Sequence, residues 1–217
     1  MHPTIGITAN HRNERHSVGI AYSNAVISAG GFPIILPPIL GMEPHFITMC
    51  DGFIFTGGDD PKMEQWGVPT HSNVTPVSVE RQTFELALLE QLQSIPTIPV
   101  LGVCLGMQWM GLLAGGCLDQ DLAPLFAQNH CNGTHSVEGE IGEGRVHSNH
   151  HQAMTDPGSL DIIARSNDGL IEAIQDRTRS WYVGVQWHPE RTDDALLGQG
   201  IFDQLVQASI TRKEVTL

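Results

Sequence analysis

The stretch "PVLGVCLGMQWMGLLAGG", residues 99–116, ends an apolar run on a single cysteine, Cys104, held between Gly102 and Gly106. Residues 98–103, "IPVLGV", have the composition of a central strand buried on both faces. Residues 105–116, "LGMQWMGLLAGG", follow as a helix. Strand, Gly-x-Cys-x-Gly, helix is the thiol form of a nucleophile elbow. A nucleophile on so sharp a turn projects from the carboxyl edge of a sheet, and the glycines remove side chains that would clash where strand and helix converge. The thiol then lies at a helix N-terminus, whose dipole favours thiolate. The backbone N–H of Leu105 is free there to face an oxyanion.

Working outward, short apolar runs alternate with helical stretches, the pattern of a parallel α/β sheet. Strands are expected at 4–9, 32–38 and 52–58, with a helix over 17–31 closed by Gly30 and Gly31. The clearest helix is 77–93, with Phe84, Leu88 and Leu92 on one stripe. Residues 117–150 are rich in Gly, His and Asn and carry the alternation "HSVEGEIGEGRVHS", which predicts a small antiparallel edge or excursion. Late strands are expected at 161–166, 170–175 and 181–186, and a closing helix at 194–209.

The chain of 217 residues fits one domain, 1–217. Its 11 basic and 24 acidic residues give a formal charge of −13, so no basic stripe is available to neutralise the phosphates of a nucleic acid. No window is long and apolar enough to span a bilayer, and the N-terminus has no signal-peptide core, so a cytoplasmic protein is expected. Cys50, Cys104, Cys117 and Cys131 occupy unrelated contexts and read as thiols.

A nucleophilic cysteine needs a base, and the base needs an orienter. "GVQWHPE", residues 184–190, offers both. Side chains at i and i+2 of an extended segment share a face, so Glu190 can accept from one nitrogen of His188 while the other faces Cys104. Pro189 disfavours helix at His188. A second oxyanion donor is expected from "FTGGDD" (55–60), where Gly57 or Gly58 can turn an N–H to the same sheet edge. This is not a phosphate loop, because the Walker spacing and its Lys are missing.

Other features admit plainer readings. The histidines of "HSNHHQ" (147–152) do not share one face of a regular strand, and a thiol nucleophile needs no metal, so no metal is expected and His150 or His151 reads as a pocket wall. "NHCNGTH" (129–135) reads as an exposed loop. Glu85 is either a buried carboxylate paired with Arg81 or part of a solvated helix face. Trp109 and Met110 read as core, and Tyr22 as packing.

With elbow, His-Pro-Glu and glycine pair in place, the chain resembles the class I glutamine amidotransferase-like superfamily, whose "GxCxGxQ" and "HPE" appear here as "GVCLGMQ" and "WHPE". Within it the likeness is greatest to the gamma-glutamyl-gamma-aminobutyrate hydrolases. It runs from "IGIT" (5–8) through "AYSNAVISAGGFPIILPP" (21–38), "SNHHQ" (148–152) and "SNDGLIEAI" (166–174) to "GVQWHPE". The resemblance implies a single flavodoxin-like α/β domain with a mostly parallel sheet, helices on both faces and a small antiparallel excursion. It implies hydrolysis of a small gamma-glutamyl amide through a glutamyl thioester. Cys104, His188 and Glu190 would be catalytic, and Leu105 with Gly58 or Gly57 the oxyanion hole. Gln108, Ser148, His150 and His151 would contact substrate. No cofactor is implied, and a homo-oligomer is compatible with the family. The alternative is a glutaminase subunit that delivers ammonia to a synthase partner. Three positions depart from the hydrolase branch: Leu105 replaces an arginine, His147 replaces an asparagine, and the stretch after the glycine pair is altered to "DDPKMEQWG" (59–67). The segment between "THSV" and "HSNHHQ" is also shortened.

Overall fold

Cys104 lies where the central strand of a nine-stranded sheet hands over to a helix. The structure, a computed structural model, describes residues 2–216. Its first half supplies β1 (Thr4–Thr8), β2 (Asn10–Arg12), β3 (Arg15–Ser17), α1 (Ile20–Ser28), β4 (Phe32–Leu36), α2 (Glu43–Met49), β5 (Gly52–Phe55), α3 (Val79–Gln93), β6 (Val100–Val103) and α4 (Leu105–Leu113). Its second half supplies β7 (Cys117–Asp119), α5 (Pro124–His130), β8 (Gly133–Gly139), β9 (Gly142–Ser148), β10 (Ala153–Asp156), β11 (Asp161–Ser166), β12 (Ile171–Gln175), β13 (Tyr182–Val185) and α6 (Gln199–Thr216).

The main sheet runs β4-β1-β5-β6-β13-β12-β11-β8-β9. Strands β4, β1, β5, β6 and β13 are mutually parallel, and β12, β11, β8 and β9 continue the sheet with antiparallel pairing. The expected α/β fold with helices on both faces is therefore present. The antiparallel excursion is larger than 117–150, because the late strands β11 and β12 join it.

Period-two alternation assigns each strand residue to a face. In β5, Phe53 and Phe55 pack with α2, α3 and α4, while Ile54 packs with α1 and α6. Strands β5, β6 and β13 are buried throughout, which explains their unbroken apolar runs. Ser78 caps α3 by accepting from the Arg81 N–H at 3.2 Å.

Some boundaries move. Ser17 belongs to the β2–β3 hairpin, so the first helix starts at Ile20. Residues 194–198 form a turn before α6, with Asp194 accepting from the Leu196 and Leu197 N–H groups. Among the described residues no helix is long and apolar enough to cross a membrane.

The glycines of the elbow are required by close approach. A Cβ on Gly102 would strike the Met110 sulfur and lie 2.7 Å from the Gly106 carbonyl carbon. A Cβ on Gly106 would strike the Phe55 carbonyl oxygen and lie 2.8 Å from its carbon. Helix α4 thus rests directly on the backbones of β5 and β6. Alanine would suit the interior of an ordinary helix better than glycine by about 1 kcal/mol. Here Gly106→Ala is expected to destabilise the fold by about 1–3 kcal/mol, as overpacking does. Urea unfolding measures the sign, and an unchanged or higher midpoint would refute direct helix-on-backbone packing.

Candidate active site

The elbow holds Cys104 in a conformation that ordinary residues avoid. Its φ is 51° and its ψ −103°, a geometry that costs on the order of 1–3 kcal/mol and persists only when its surroundings impose it. Both of its peptide groups are fixed: its N–H donates to Val185 O at 2.8 Å, and its carbonyl accepts from Gln108 N at 3.1 Å. The thiol is nearly buried and opens on a cleft of about 220 Å³.

His188 comes from the end of β13, as expected, and its N–H donates to His147 O at 2.8 Å. Glu190 arrives differently. His188 is extended, with φ −103° and ψ 90°, but Pro189–Arg191 form a single 3-10 turn. The carboxylate is thus carried back to the imidazole by a turn, not by strand alternation. Glu190 Oε1 lies 2.8 Å from His188 Nδ1, and both side chains are buried. Burial works against a charged imidazole. Hydrogen bonds to Cys104 and Glu190 override it and push His188 up to about 10.

The glycine pair is resolved by its hydrogen bonds. Gly57 N–H donates to the Tyr22 hydroxyl at 3.1 Å, so it is not available to an oxyanion, and Tyr22 reaches the active edge rather than merely packing. Gly58 N–H has no protein acceptor among the described residues. Its direction is set by Arg81, which is fully buried and donates from Nη2 to Thr56 O at 2.8 Å and to Gly57 O at 3.1 Å. In a trans peptide the N–H points opposite to the C=O. Holding the Gly57 carbonyl toward Arg81 therefore turns the Gly58 N–H away, toward the cleft that Gly58 lines. Arg81 is itself held by Glu85 at 3.1 Å, and Glu85 accepts from Trp109 Nε1 at 2.8 Å. Glu85 is thus the buried partner of Arg81, not a solvated side chain. Leu105 begins α4, so its N–H has no intrahelical acceptor. Gly57 is also the only residue type that fits its place, since a Cβ there would lie 2.8 Å from His188 Cε1.

The expected substrate contacts divide. Gln108 lines the cleft and donates weakly to Gln186 at 3.4 Å. His151 lines it too, with Nε2 at 3.0 Å from Asp60; that hydrogen bond raises its pKa. His150 borders the cleft, but both ring nitrogens face other protein groups, Nδ1 the Gln152 carbonyl at 2.8 Å and Nε2 the His130 ring at 3.2 Å. Ser148 does not reach the cleft: it is fully buried, and its hydroxyl has no partner. Its inward position follows from strand alternation in β9, which the irregular composition of 117–150 obscured.

Several residues were not anticipated. Gln186 is buried and its side-chain amide donates to Cys104 Sγ at 3.5 Å. The His147 ring lies 6.2 Å from that of His188, centroid to centroid. Asp59 and Asp60 give the cleft an acidic wall. Gln186 was legible in principle, since it stands two residues before His188 on an extended segment.

Residues 3–190 match the peptidase C26 family. The chain belongs to that family, and its fold is that of the class I glutamine amidotransferases. Over 238 residues it is 32% identical to protein NtpR of Enterococcus hirae, covering 95% of this chain and 99% of that one. It is 27% identical to the gamma-glutamyl-gamma-aminobutyrate hydrolase of Escherichia coli O157:H7, covering 95% and 93%. Among solved structures, a Thermoplasma acidophilum protein provisionally described as part of a GMP synthase superposes with a TM-score of 0.72 at 16% identity. That match covers 100% of this chain and 98% of the other, and is a likeness of fold. Family membership supports hydrolysis of an amide bond.

The hydrogen bonds of His188 set a measurable property. The imidazole is expected to stay protonated through neutrality and to titrate near 10. NMR of labelled histidine should show the midpoint falling in both Cys104→Ala and Glu190→Gln. A wild-type midpoint in the ordinary imidazole range would refute the coupling.

Proposed function

We propose that the protein is a cysteine hydrolase of small gamma-glutamyl amides that acts through a glutamyl thioester. The observation that carries this reading is the strained elbow, which presents Cys104 beside an imidazole already oriented by Glu190. The thiolate attacks the gamma-carbonyl carbon, and the carbonyl oxygen becomes an oxyanion facing the N–H groups of Leu105 and Gly58. As the C–N bond breaks, protonated His188 gives its proton to the departing amine. Neutral His188 then takes a proton from water, whose hydroxide attacks the thioester and releases glutamate. The thiolate and the imidazolium are restored, so every proton is returned.

The cleft supports a small, polar substrate. At about 220 Å³ it has room for roughly seven waters' worth of ligand. Asp59 and Asp60 line it, and the hydrogen bonds and ion pairs of the described residues give Asp59 no partner. A substrate ammonium, such as the α-amino group of a glutamyl moiety, suits that wall. Gln108 and the Asp60-bound His151 complete it with polar contacts.

The E. coli relative is named for gamma-glutamyl-gamma-aminobutyrate, and we extend to this chain only the gamma-glutamyl half. The amine half is left to the altered stretch beyond the acidic wall, residues 61–67. A second reading is kept by Leu105 and by the Lactococcus lactis relative, 34% identical over 75% of this chain and provisionally described as glutamine amidotransferase-like. In that reading glutamine is the substrate, and a synthase partner is needed for turnover.

Purified protein offered glutamine and a panel of gamma-glutamyl amines should release glutamate from at least one amine without any partner. Cys104→Ala should reduce this by at least ~10⁴-fold, as loss of a nucleophile does. Release that survives the substitution would overturn the mechanism, and release from glutamine alone, only with a partner, would establish the second reading. Arg81→Lys keeps the charge but loses the planar group that bonds Glu85 through Nε and the Thr56 and Gly57 carbonyls through Nη2. It is expected to lower kcat by up to ~10²-fold, the scale of a lost oxyanion donor, with KM little changed. A change in KM alone, in protein shown folded by circular dichroism, would exclude a positioning role for Arg81.

A further inference from the structure

We propose that His130, His135, His150 and Glu172 form a binding site for one divalent transition-metal ion of the zinc type. The four residues come from the end of α5, from β8, from the loop after β9 and from β12. They lie behind the wall of the cleft, with His130 and Glu172 fully buried and the side chain of His135 only 9% exposed. Residues 129–135 are therefore not simply an exposed loop: His130 and His135 turn inward.

Three imidazoles converge on one carboxylate oxygen. Glu172 Oε1 lies 3.3 Å from His130 Nδ1, 3.2 Å from His135 Nε2 and 3.5 Å from His150 Nε2. His130 Nδ1 and His150 Nε2 are 3.2 Å apart. A tetrahedral ion with bonds of ~2.0–2.1 Å needs ligand atoms about 3.3 Å from one another. Four of the six edges already have that length. The ligand atoms of His130, His135 and Glu172 all lie within 4.8 Å of one another. The His135 and His150 ring centroids lie 6.4 Å apart.

The outer hydrogen bonds fix where the lone pairs point. His150 Nδ1 faces the carbonyl of Gln152 at 2.8 Å and must carry the proton, since a carbonyl only accepts. His130 Nε2 faces both oxygens of Asp168, at 3.1 and 3.2 Å, and is the protonated nitrogen of that ring. A neutral His130 and a neutral His150 therefore aim lone pairs at each other and at Glu172 Oε1. Three acceptors meeting in a buried space can be bridged by one cation, a metal ion or a shared proton. Asp168 to His130 is also the carboxylate–histidine pairing that orients metal ligands. Both ring nitrogens of His135 and both oxygens of Glu172 lack a geometrically sound hydrogen bond, so their capacity is unspent.

Four protein ligands in a buried place leave no open position, which is the pattern of a structural ion. It would tie α5 and β8 to β12 and fix the His150 segment that walls the cleft. The histidines of 147–152 read alone gave no such site, because three of the four ligands lie elsewhere in the chain. The ion takes no part in the cysteine chemistry.

The test needs no substrate. Full-length protein is stripped with a chelator and titrated with Co²⁺ and Zn²⁺. One equivalent of cobalt should give the visible spectrum of a tetrahedral nitrogen and oxygen site without sulfur charge transfer. Free zinc at about one hundred times its Kd should raise Tm by ~5–10 °C. His135→Asn, at the rim of the cluster, should abolish both effects, and Asp168→Asn should weaken binding about 10–100-fold. The proposal fails if wild-type protein binds no cobalt. It fails equally if a sulfur charge-transfer band places the metal on Cys104 or Cys131, or if His135→Asn binds as well as wild type. A cluster held by shared protons alone would show the first of these outcomes.

Discussion

The left-handed backbone of Cys104 is the constraint around which the rest is arranged. A thiol can leave the carboxyl edge of a parallel sheet only if strand and helix meet at an angle that regular φ and ψ do not supply. That angle presses the first turn of α4 onto the carbonyl of Phe55, which leaves Gly106 no room for a side chain. The strain of about 1–3 kcal/mol is offset by a helix whose residues from Leu105 to Leu112 are all buried. Each buried aliphatic side chain contributes about 1.5–3 kcal/mol. The burial of α4 therefore outweighs the turn it imposes by a wide margin.

A similar constraint governs the direction of the Gly58 N–H, the proposed second oxyanion donor. Peptide Gly57–Gly58 has no regular partner, since β5 ends at Phe55. Arg81 holds it by the Gly57 carbonyl, while Tyr22 holds the preceding peptide by the Gly57 N–H. Arg81 cannot move, because Glu85 and Trp109 complete a buried chain of charge-assisted bonds behind it. A buried ion pair adds little net stability. Its value here is direction: it fixes one peptide plane, and that plane aims one N–H.

What could be read from the sequence follows from how local each signal is. The elbow, the glycine pair and His-Pro-Glu are contiguous, and each alternates with strands whose apolar runs mark the parallel half of the sheet. Their residues meet because every one stands at a strand's carboxyl end. Glu190 was placed beside His188 for the wrong local reason, through strand alternation rather than the 3-10 turn that follows Pro189. The roles of Tyr22 and Gln186 depend on where α1 and β13 lie relative to Gly57 and Cys104, which no window of sequence contains. Ser148 and His150 illustrate the same limit. Their motif marks a segment beside the cleft, but the pleat of β9 turns Ser148 into the interior, and Glu172 draws the Nε2 of His150 away from the cleft.

The division of the sheet also divides the work. Parallel strands β5, β6 and β13 lead into the glycine pair, Cys104 and His188. The wall of the cleft comes in large part from the chain beyond them, through Cys131 and 149–152, and from Asp59 and Asp60. That part of the chain is irregular in composition, and its inner polar groups are held by the His130–Glu172 cluster rather than by apolar packing. One of the points where the two halves meet is Gln186, whose N–H donates to Glu172 O at 2.7 Å while its side chain reaches Cys104. A change in the geometry of the cluster is therefore one residue removed from the thiol. The β12–β13 pairing and the His188 N–H on the His147 carbonyl join the same two parts of the chain, so the residues around the thiol and those of the cleft wall are held in one frame.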